Sequence, residues 1–576
     1  MADFEVVERP GRWSIPFSQE RPAAAEAPPM SDADVDLVMS MWPFKDMDPE
    51  QFPKRLALRD IIRNDCRIRT FEHGDVIVRE GDYGNSLFIF IEGEVRVVER
   101  GLDPTKLGRS QRRRRSWWRS LLQPLTNPKT PGARDTRRGY HARFDLAEAN
   151  ALKIMPDVFE VAELLPIREG LFGEQSALAR RGRTRTVLSY GPTKLLEVRW
   201  QGVRDLRRHD AALMAHLDEK YLRIALMTLL GESPMFSTLT RETRTRIIEA
   251  ARFETYGRFE WHRAYERDPD DPLRQEQVIA EEGHYPNGLL MILSGFARLT
   301  RTHGDGEETL TFRRRGDCYG LEELIHNADS GDQVPLTTSL RAVGYVDVIR
   351  IPTRTFEEHM LPVLPPAMRA AATLEREPER IGGDLPRLIA SGARSKVNHE
   401  MLEFLGDHRF MNGTATMVID MDRCTRCDDC VRACASGHLN SPVFVRHGPI
   451  FDNFMVANAC MQCVDPVCMI DCPTGAIHSD VDTGIVVINE KTCIGCEACA
   501  NSCPYDNIRM IEIRDKQKDE KMMVARETGR PILKATKCDL CVDHHGGPAC
   551  QRACPHDALT RLDMQDLDGL AGLMNR

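Results

Sequence analysis

The chain has 576 residues and a net charge of −9, with hydrophobic and charged residues at 41% and 29%. That balance is ordinary for a folded chain, gives nucleic-acid binding no support, and leaves room for three or four cores of about 150 residues each. The start MADFEVVERPGRW has no apolar signal stretch and no twin arginine, and no apolar run approaches the ~18 residues that span a bilayer, so a cytoplasmic chain with no transmembrane segment is expected.

Residues 1–45 read as a flexible leader, with Pro and Ala in a polar context. Residues 46–232 carry short alternating runs punctuated by Gly and Asp, such as DVIVREGDYGNSLFIFIEGEVRVVER and TVLSYGPTKLLEVRW, and then amphipathic helical spacing in DLRRHDAALMAHLDEKYLRIALMTLL. The same order recurs over 233–360, so two copies of one β-roll unit are expected. A basic insert at about 101–155 interrupts the first copy. Residues 101–140 hold eleven Lys or Arg against two Asp, with Arg112, Arg113, Arg114 and Arg115 followed by Trp117 and Trp118. Such a segment is either a solvated loop or a docking element for an acidic or anionic surface. Residues 361–415 read as a helical connector, 416–561 as a cysteine-rich domain and 562–576 as a polar tail. The fold class expected is multidomain α+β.

Of eighteen cysteines, only Cys66 and Cys318 precede residue 424, and both read as core residues. The other sixteen form four groups: Cys424, Cys427, Cys430 and Cys434; Cys460, Cys463, Cys468 and Cys472; Cys493, Cys496, Cys499 and Cys503; Cys538, Cys541, Cys550 and Cys554. Each opens with C-x-x-C, adds a third cysteine and closes with a fourth after three more residues. In a reducing compartment this reads as ligation rather than a disulfide framework. A [4Fe–4S] cube accepts one thiolate at each of four irons. The triplet wraps three of them, and the fourth cysteine, carried off in a helix, serves a neighbouring cube. Pro473, Pro504 and Pro555 follow the fourth cysteine in three groups. Zinc knuckles need four ligands in paired C-x-x-C motifs and leave the trailing cysteines unexplained.

The runs RCTRCDDCVRAC, ACMQCVDPVCMIDCPTGAI, CIGCEACANSCPY and TKCDLCVDHHGGPACQRACP resemble the ferredoxin-like iron–sulfur subunits of the dimethyl sulfoxide reductase, formate dehydrogenase and hydrogenase families. The resemblance implies four [4Fe–4S] clusters. It assigns Cys424, Cys427, Cys430 and Cys554 to one, and Cys434, Cys538, Cys541 and Cys550 to its neighbour. Cys460, Cys463, Cys468 and Cys503 would hold a third, and Cys472, Cys493, Cys496 and Cys499 the fourth. It also implies a non-catalytic electron-transfer subunit serving a catalytic partner, whether a molybdopterin enzyme, a nickel–iron hydrogenase or a flavoprotein.

Within the first β unit, HGDVIVREGDYGNSLFIFIEGEVRVV and FGEQSALARRGRTRTV resemble the cyclic-nucleotide-binding domain. The resemblance puts Glu174 on the ribose hydroxyl and Arg183 on the cyclic phosphate, with Gly173, Ala177 and Thr184 around them and Gly81 and Gly93 at turns. A cyclic nucleotide or another anionic nucleotide is the implied ligand, since Arg185 and the insert depart from the family pattern. The second unit resembles the same family through NGLLMILSGFARLTR and GDCYGLEEL, but Leu336 falls where the phosphate arginine would be, so this copy reads as degenerate despite Glu322 and Glu323. A docking barrel is the competing reading of the first unit. For the whole chain, the alternative to an electron-transfer subunit is a redox- and nucleotide-responsive signalling protein. No G-x-G-x-x-G fingerprint supports a self-contained enzyme.

Overall fold

The computed structural model describes residues 4–7, 30–100, 163–174, 182–257, 276–366 and 397–574 apart from isolated positions, with a few residues between 122 and 134 and Arg369. The Arg112–Trp118 segment, Ala177 and the middle of the expected connector lie outside the described residues.

Two β-rolls with the same strand order follow one another. In the first, one sheet runs Cys66–Phe71, Thr193–Arg199, Ser86–Glu92, Leu171–Phe172, and the other Val76–Val78, Val187–Ser189, Val95–Arg100, Glu163–Ile167. The second repeats this pattern as Arg252–Tyr256, Val346–Pro352, Gly288–Ser294, Cys318–Tyr319, and Gln277–Ala280, Ser339–Ala342, Ala297–His303, Gly306–Arg313. Alternating apolar residues of the paired sheets face inward, as in Leu195, Phe88 and Val95 of the first roll and Leu290, Leu299 and Val348 of the second. Gly93 turns the Ser86–Glu92 strand into its neighbour at φ +100°, where a Cβ would stand 2.6 Å from the Pro192 carbonyl oxygen. The basic insert sits where the second roll has the tight hairpin between His303 and Gly306.

Three expectations are corrected. The leader contains the helix Asp32–Met39, opened by a capping box between Ser31 and Asp34, with Val35 and Val38 fully buried in the first roll's core. Phe4–Val7 also pairs in parallel with Lys521–Ala525 of the cysteine-rich segment. The tail folds as the helix Leu567–Met574, burying Leu570, Ala571 and Leu573, because its apolar residues recur at helical spacing. The helix Ala211–Glu232, expected to close the first unit, belongs to both rolls. Asp210 caps it, Leu213 and Leu217 enter the first core, and Ala225, Leu226, Leu229 and Leu230 enter the second, about 33 Å being spanned by its 22 residues.

The cysteine-rich segment is built of short strands and one- or two-turn helices. Its main sheet runs Ile450–Phe451, Phe454–Val456, Thr416–Asp420, Leu559–Leu562, joined by the hairpin Ile477–Ser479/Val486–Ile488 and the pair Arg509–Glu512/Leu533–Thr536. Phe296 and Phe312 of the second roll share one core with Met401, Leu405, Phe410, Met461 and Met564. Described parts of the insert dock here too. Ala133–Arg134 pairs with Arg514–Asp515, and the Asn127 and Asn440 side-chain amides donate to the Ser436 and Pro128 carbonyls at 2.7 and 2.6 Å. No helix among the described residues is long and apolar enough to cross a membrane.

The first roll is tied to this segment by a buried cation. Arg199 reaches Asp65 through Nε at 2.8 Å and Nη2 at 2.7 Å, while its Nη1 donates to the Thr474 carbonyl at 3.3 Å. Arg199→Met leaves Asp65 as an uncompensated buried charge and is expected to cost about 3 kcal/mol of unfolding free energy in denaturant titration. In the second roll, Arg350 grips Glu254 with two hydrogen bonds of 2.6 and 2.7 Å, which holds that carboxyl below its ordinary value of 4.5. A depressed carboxylate contributes stability that is present above the unfolded value and lost as pH falls through the folded one. Glu254→Gln is therefore expected to flatten acid unfolding below about pH 4.5, read by circular dichroism.

Candidate metal centres

Each cysteine group sits on a loop that enters a short helix. Asp429–Gly437 carries Cys430 and Cys434, whereas Val467–Ile470, Ala498–Asn501 and Ala549–Arg552 carry only the third cysteine of their groups. The expectation that each fourth cysteine lies inside a helix is thus corrected for three groups. Their fourth cysteines precede Pro473, Pro504 and Pro555, and a residue before proline is steered out of helical geometry. Ala435 follows Cys434 instead, and that helix runs on. The loops turn at left-handed residues, including Asp428, Gln462, Gly495 and Glu497.

These loops interleave, so that thiols from different groups become neighbours. Cys430 feels the charges of Cys424 and Cys554, with Cys427 on the same loop. Cys550 feels Cys538, Cys434 and Cys541. Cys463 feels Cys460, Cys503 and Cys468, and Cys499 feels Cys472, Cys493 and Cys496. The sets adjoin in series. Cys538 senses Cys460, Cys468 senses Cys499, and Cys430 and Cys434 share one helix. Cys427 and Cys496 are exposed, whereas Cys460, Cys538 and Cys541 are buried.

Burial and the neighbouring thiols push Cys430 up to about 11, and burial outweighs Arg561 in pushing Cys550 to about 12. Four crowded thiols of this kind give up their protons only to a strongly bound cationic centre, so the donor chemistry fits iron–sulfur clusters. Burial likewise raises the lone thiols Cys66 and Cys318, which sit in the roll cores.

Polar groups around the sulfurs carry no cysteine signature. His438 bridges the Cys434 carbonyl, 2.8 Å from Nδ1, and Asp539, 3.0 Å from Nε2. The Asp539 carboxyl is held far below the usual carboxylate range against its burial by hydrogen bonding to His438. His438, Asp539 and Cys541 lie close enough to hold an ion, but Cys541 places them within the cysteine site. Lys537 donates from Nζ to Cys460 Sγ at 3.2 Å, and Arg561 from Nη2 to Cys538 Sγ at 3.2 Å. Lys537 directly precedes a ligand-type cysteine in TKCDLC, the one trace of it in the chain text.

In the first roll, Arg183 and Glu174 are buried side by side. Arg183 donates from Nη1 to the Gly173 carbonyl and from Nη2 to the Ser86 carbonyl, both at 2.7 Å, and burial lowers its pKa to about 10. Gly84 and Gly173 leave room for that guanidinium, since a Cβ on either would fall within 2.6 Å of it. Thr184 follows half-buried, and its carbonyl accepts from Arg185 at 2.9 Å. In the second roll, Leu336 lines a cavity of about 150 Å³ with Tyr319, Gly320 and Arg350, and Glu323 accepts from Thr337 N and Oγ1 at 3.2 and 3.0 Å.

Two family models match the chain: Cyclic nucleotide-binding domain over residues 271–361, in the second roll, and 4Fe-4S dicluster domain over residues 451–564. Electron transport protein HydN of Escherichia coli is 31% identical over 176 residues, covering 28% of this chain and 94% of that protein. A subunit of the anaerobic dimethyl sulfoxide reductase of Haemophilus influenzae is 34% identical over 173 residues, covering 26% of this chain and 73% of that subunit. Among solved structures, the regulatory domain of Toxoplasma gondii PKA with cAMP has a TM-score of 0.21 and 14% identity, covering 60% of this chain and 98% of that one. Interleaved thiol sets, a dicluster match and near full-length likeness to HydN place this chain, through its C-terminal third, in the family of iron–sulfur electron-transport proteins.

Proposed function

We propose that the sixteen clustered cysteines hold four [4Fe–4S] clusters in the crossed sets described above, and that the chain relays single electrons as a non-catalytic subunit of a larger oxidoreductase. The grouping of the thiols into four sets of four carries this reading. Iron–sulfur clusters supply reversible one-electron storage, and the chain's residues supply spacing, insulation and charge. The two outer sets each have one exposed cysteine, Cys427 and Cys496, so donor and acceptor would meet the chain at opposite ends of the series. The catalytic partner proposed is a molybdopterin enzyme, a nickel–iron hydrogenase or a flavoprotein. A reducing, cytoplasmic setting fits eighteen free thiols.

A second reading concerns the first roll, whose Glu174 and Arg183 adjoin with Gly173 and Thr184 beside them. A cyclic or other anionic nucleotide there would draw Arg183 from the two carbonyls it now serves. The first roll also grips the loop around Cys472: Arg204 donates to the Ile470 carbonyl, and Tyr83 lies against Gly484. Ligand-driven movement of Arg183 would therefore bear on one end of the relay.

Anaerobically purified chain is expected to contain about sixteen iron and sixteen sulfide per molecule and to give cluster EPR signals on reduction, and zinc or a far lower count would sink the proposal. Cys499→Ala should lower the iron count by about four. Calorimetry with cyclic AMP, cyclic GMP and NADPH is expected to show binding to wild type that Arg183→Ala abolishes. Silence with wild type would leave the first roll a docking body.

A further inference from the structure

The two inner thiol sets, one on Cys460, Cys463, Cys468 and Cys503 and the other on Cys434, Cys538, Cys541 and Cys550, meet where Cys460 approaches Cys538. Two cations are laced through that junction. Lys537 is 6% exposed. Its Nζ donates to Cys460 Sγ at 3.2 Å, to the Cys538 carbonyl at 3.1 Å and to the Val486 carbonyl. Arg561, on the strand Leu559–Leu562, donates from Nη2 to Cys538 Sγ at 3.2 Å. Its Nη1 donates to the Ala415 and Cys460 carbonyls at 2.7 and 3.3 Å. Each cation thus reaches a sulfur of one set and a carbonyl beside the other set.

Tying segments together does not require charge. Gln462 already does this with a neutral side chain, donating to the Cys538 carbonyl at 3.0 Å and accepting from Val486 N at 2.9 Å. Withdrawing the Lys537 ammonium, and in part the Arg561 guanidinium, from water is costly unless a nearby negative charge offsets it. Among the described residues neither cation forms a salt bridge with a carboxylate. The negative charge nearest to them is that of the cysteine sulfurs, with the Asp539 carboxylate also within the field of Lys537. The outer sets differ in degree. Arg446 and Lys534 also lie within reach of outer sulfurs, but Arg446 is paired with Asp428 at 2.9 Å and Lys534 donates to the Glu490 and Cys493 carbonyls, whereas Lys537 and Arg561 donate to sulfur itself.

A fixed cation a few ångströms from a redox centre stabilises the form that has gained an electron, and it does so strongly where little water screens it. We propose that Lys537 and Arg561 raise the reduction potentials of the two inner clusters above those of the outer two, so that an electron entering at either exposed end settles at the middle of the relay. One electron is gained per inner cluster and no proton moves. The proposal rests on the four-cluster reading.

The test is an EPR-monitored redox titration of the full chain carrying its clusters, with iron and sulfide counted first. Signals of the outer clusters are assigned through Cys427→Ser and Cys496→Ser. Lys537→Met should lower the potential of the Cys460 cluster most, and Arg561→Met that of the Cys538 cluster. Lys537→Arg and Arg561→Lys, which keep the charge, should stay near wild type, and the outer clusters should not move in any of the four. Unmoved inner potentials in both methionine variants at full iron content would overturn the proposal, as would a Lys537→Arg shift equal to that of Lys537→Met. Should Lys537→Met fail to assemble, Arg561→Met and Lys537→Gln carry the same comparison. A wild-type count well short of about sixteen iron would instead defeat the four-cluster reading.

Discussion

Thiolates gathered in a dry interior repel one another, and most of the C-terminal third is organised around offsetting that repulsion. Burial and neighbouring sulfurs raise Cys430, Cys463, Cys468 and Cys499 above an ordinary thiol. A chain of very short helices and strands has little regular hydrogen bonding or continuous apolar core to set against this. The cores it has include the cysteines themselves, with Cys460, Cys538 and Cys550 packed among Met417, Ile419 and Phe444. In small metal-bound folds, assembly and acquisition of the metal are one thermodynamic event, and the proposed clusters would couple to the folding of this segment in that way.

The rolls add conventional core to the small cores of the cysteine-rich segment. The second roll shares apolar side chains with it, from Phe296 and Phe312 to Met564, and the first roll adds Arg199 and Arg204 from the helix Trp200–His209 and the strand before it. Because the helix Ala211–Glu232 is rooted in both roll cores, a shift in either one is felt by its neighbour.

What could be read in the chain text was whatever a fixed local spacing dictates. The four cysteine groups, the alternating strands and the recurrence of one unit in tandem are all local patterns, and so is the position of Leu336 against Arg183. Features created by distant segments meeting left no such trace. Lys537 and Arg561 look like unremarkable basic residues until the fold sets them against Cys460 and Cys538. The basic insert read as a solvated loop or a surface for another molecule, while Asn127 and Ala133–Arg134 dock on the chain's own cysteine-rich segment. In the leader and tail, polar composition masks a helical pattern. Ser31 with Asp34, and the apolar spacing of LDGLAGLM, were helix signals in plain view.

One small sheet ties together segments that lie far apart in the chain. Its four strands, Phe4–Val7, Lys521–Ala525, Arg514–Asp515 and Ala133–Arg134, come from three remote stretches, with Phe4 opposite Met522. During synthesis that sheet cannot close until the stretch from Phe4 to Ala525 has left the ribosome. Contacts of such long sequence separation form late and slowly. The rolls can fold while translation proceeds, but the N-terminal strand has to wait for the cysteine-rich segment to emerge. Its docking therefore waits, in time as well as in space, on the first three of the four cysteine groups, while Cys538, Cys541, Cys550 and Cys554 follow its partner strand in the chain.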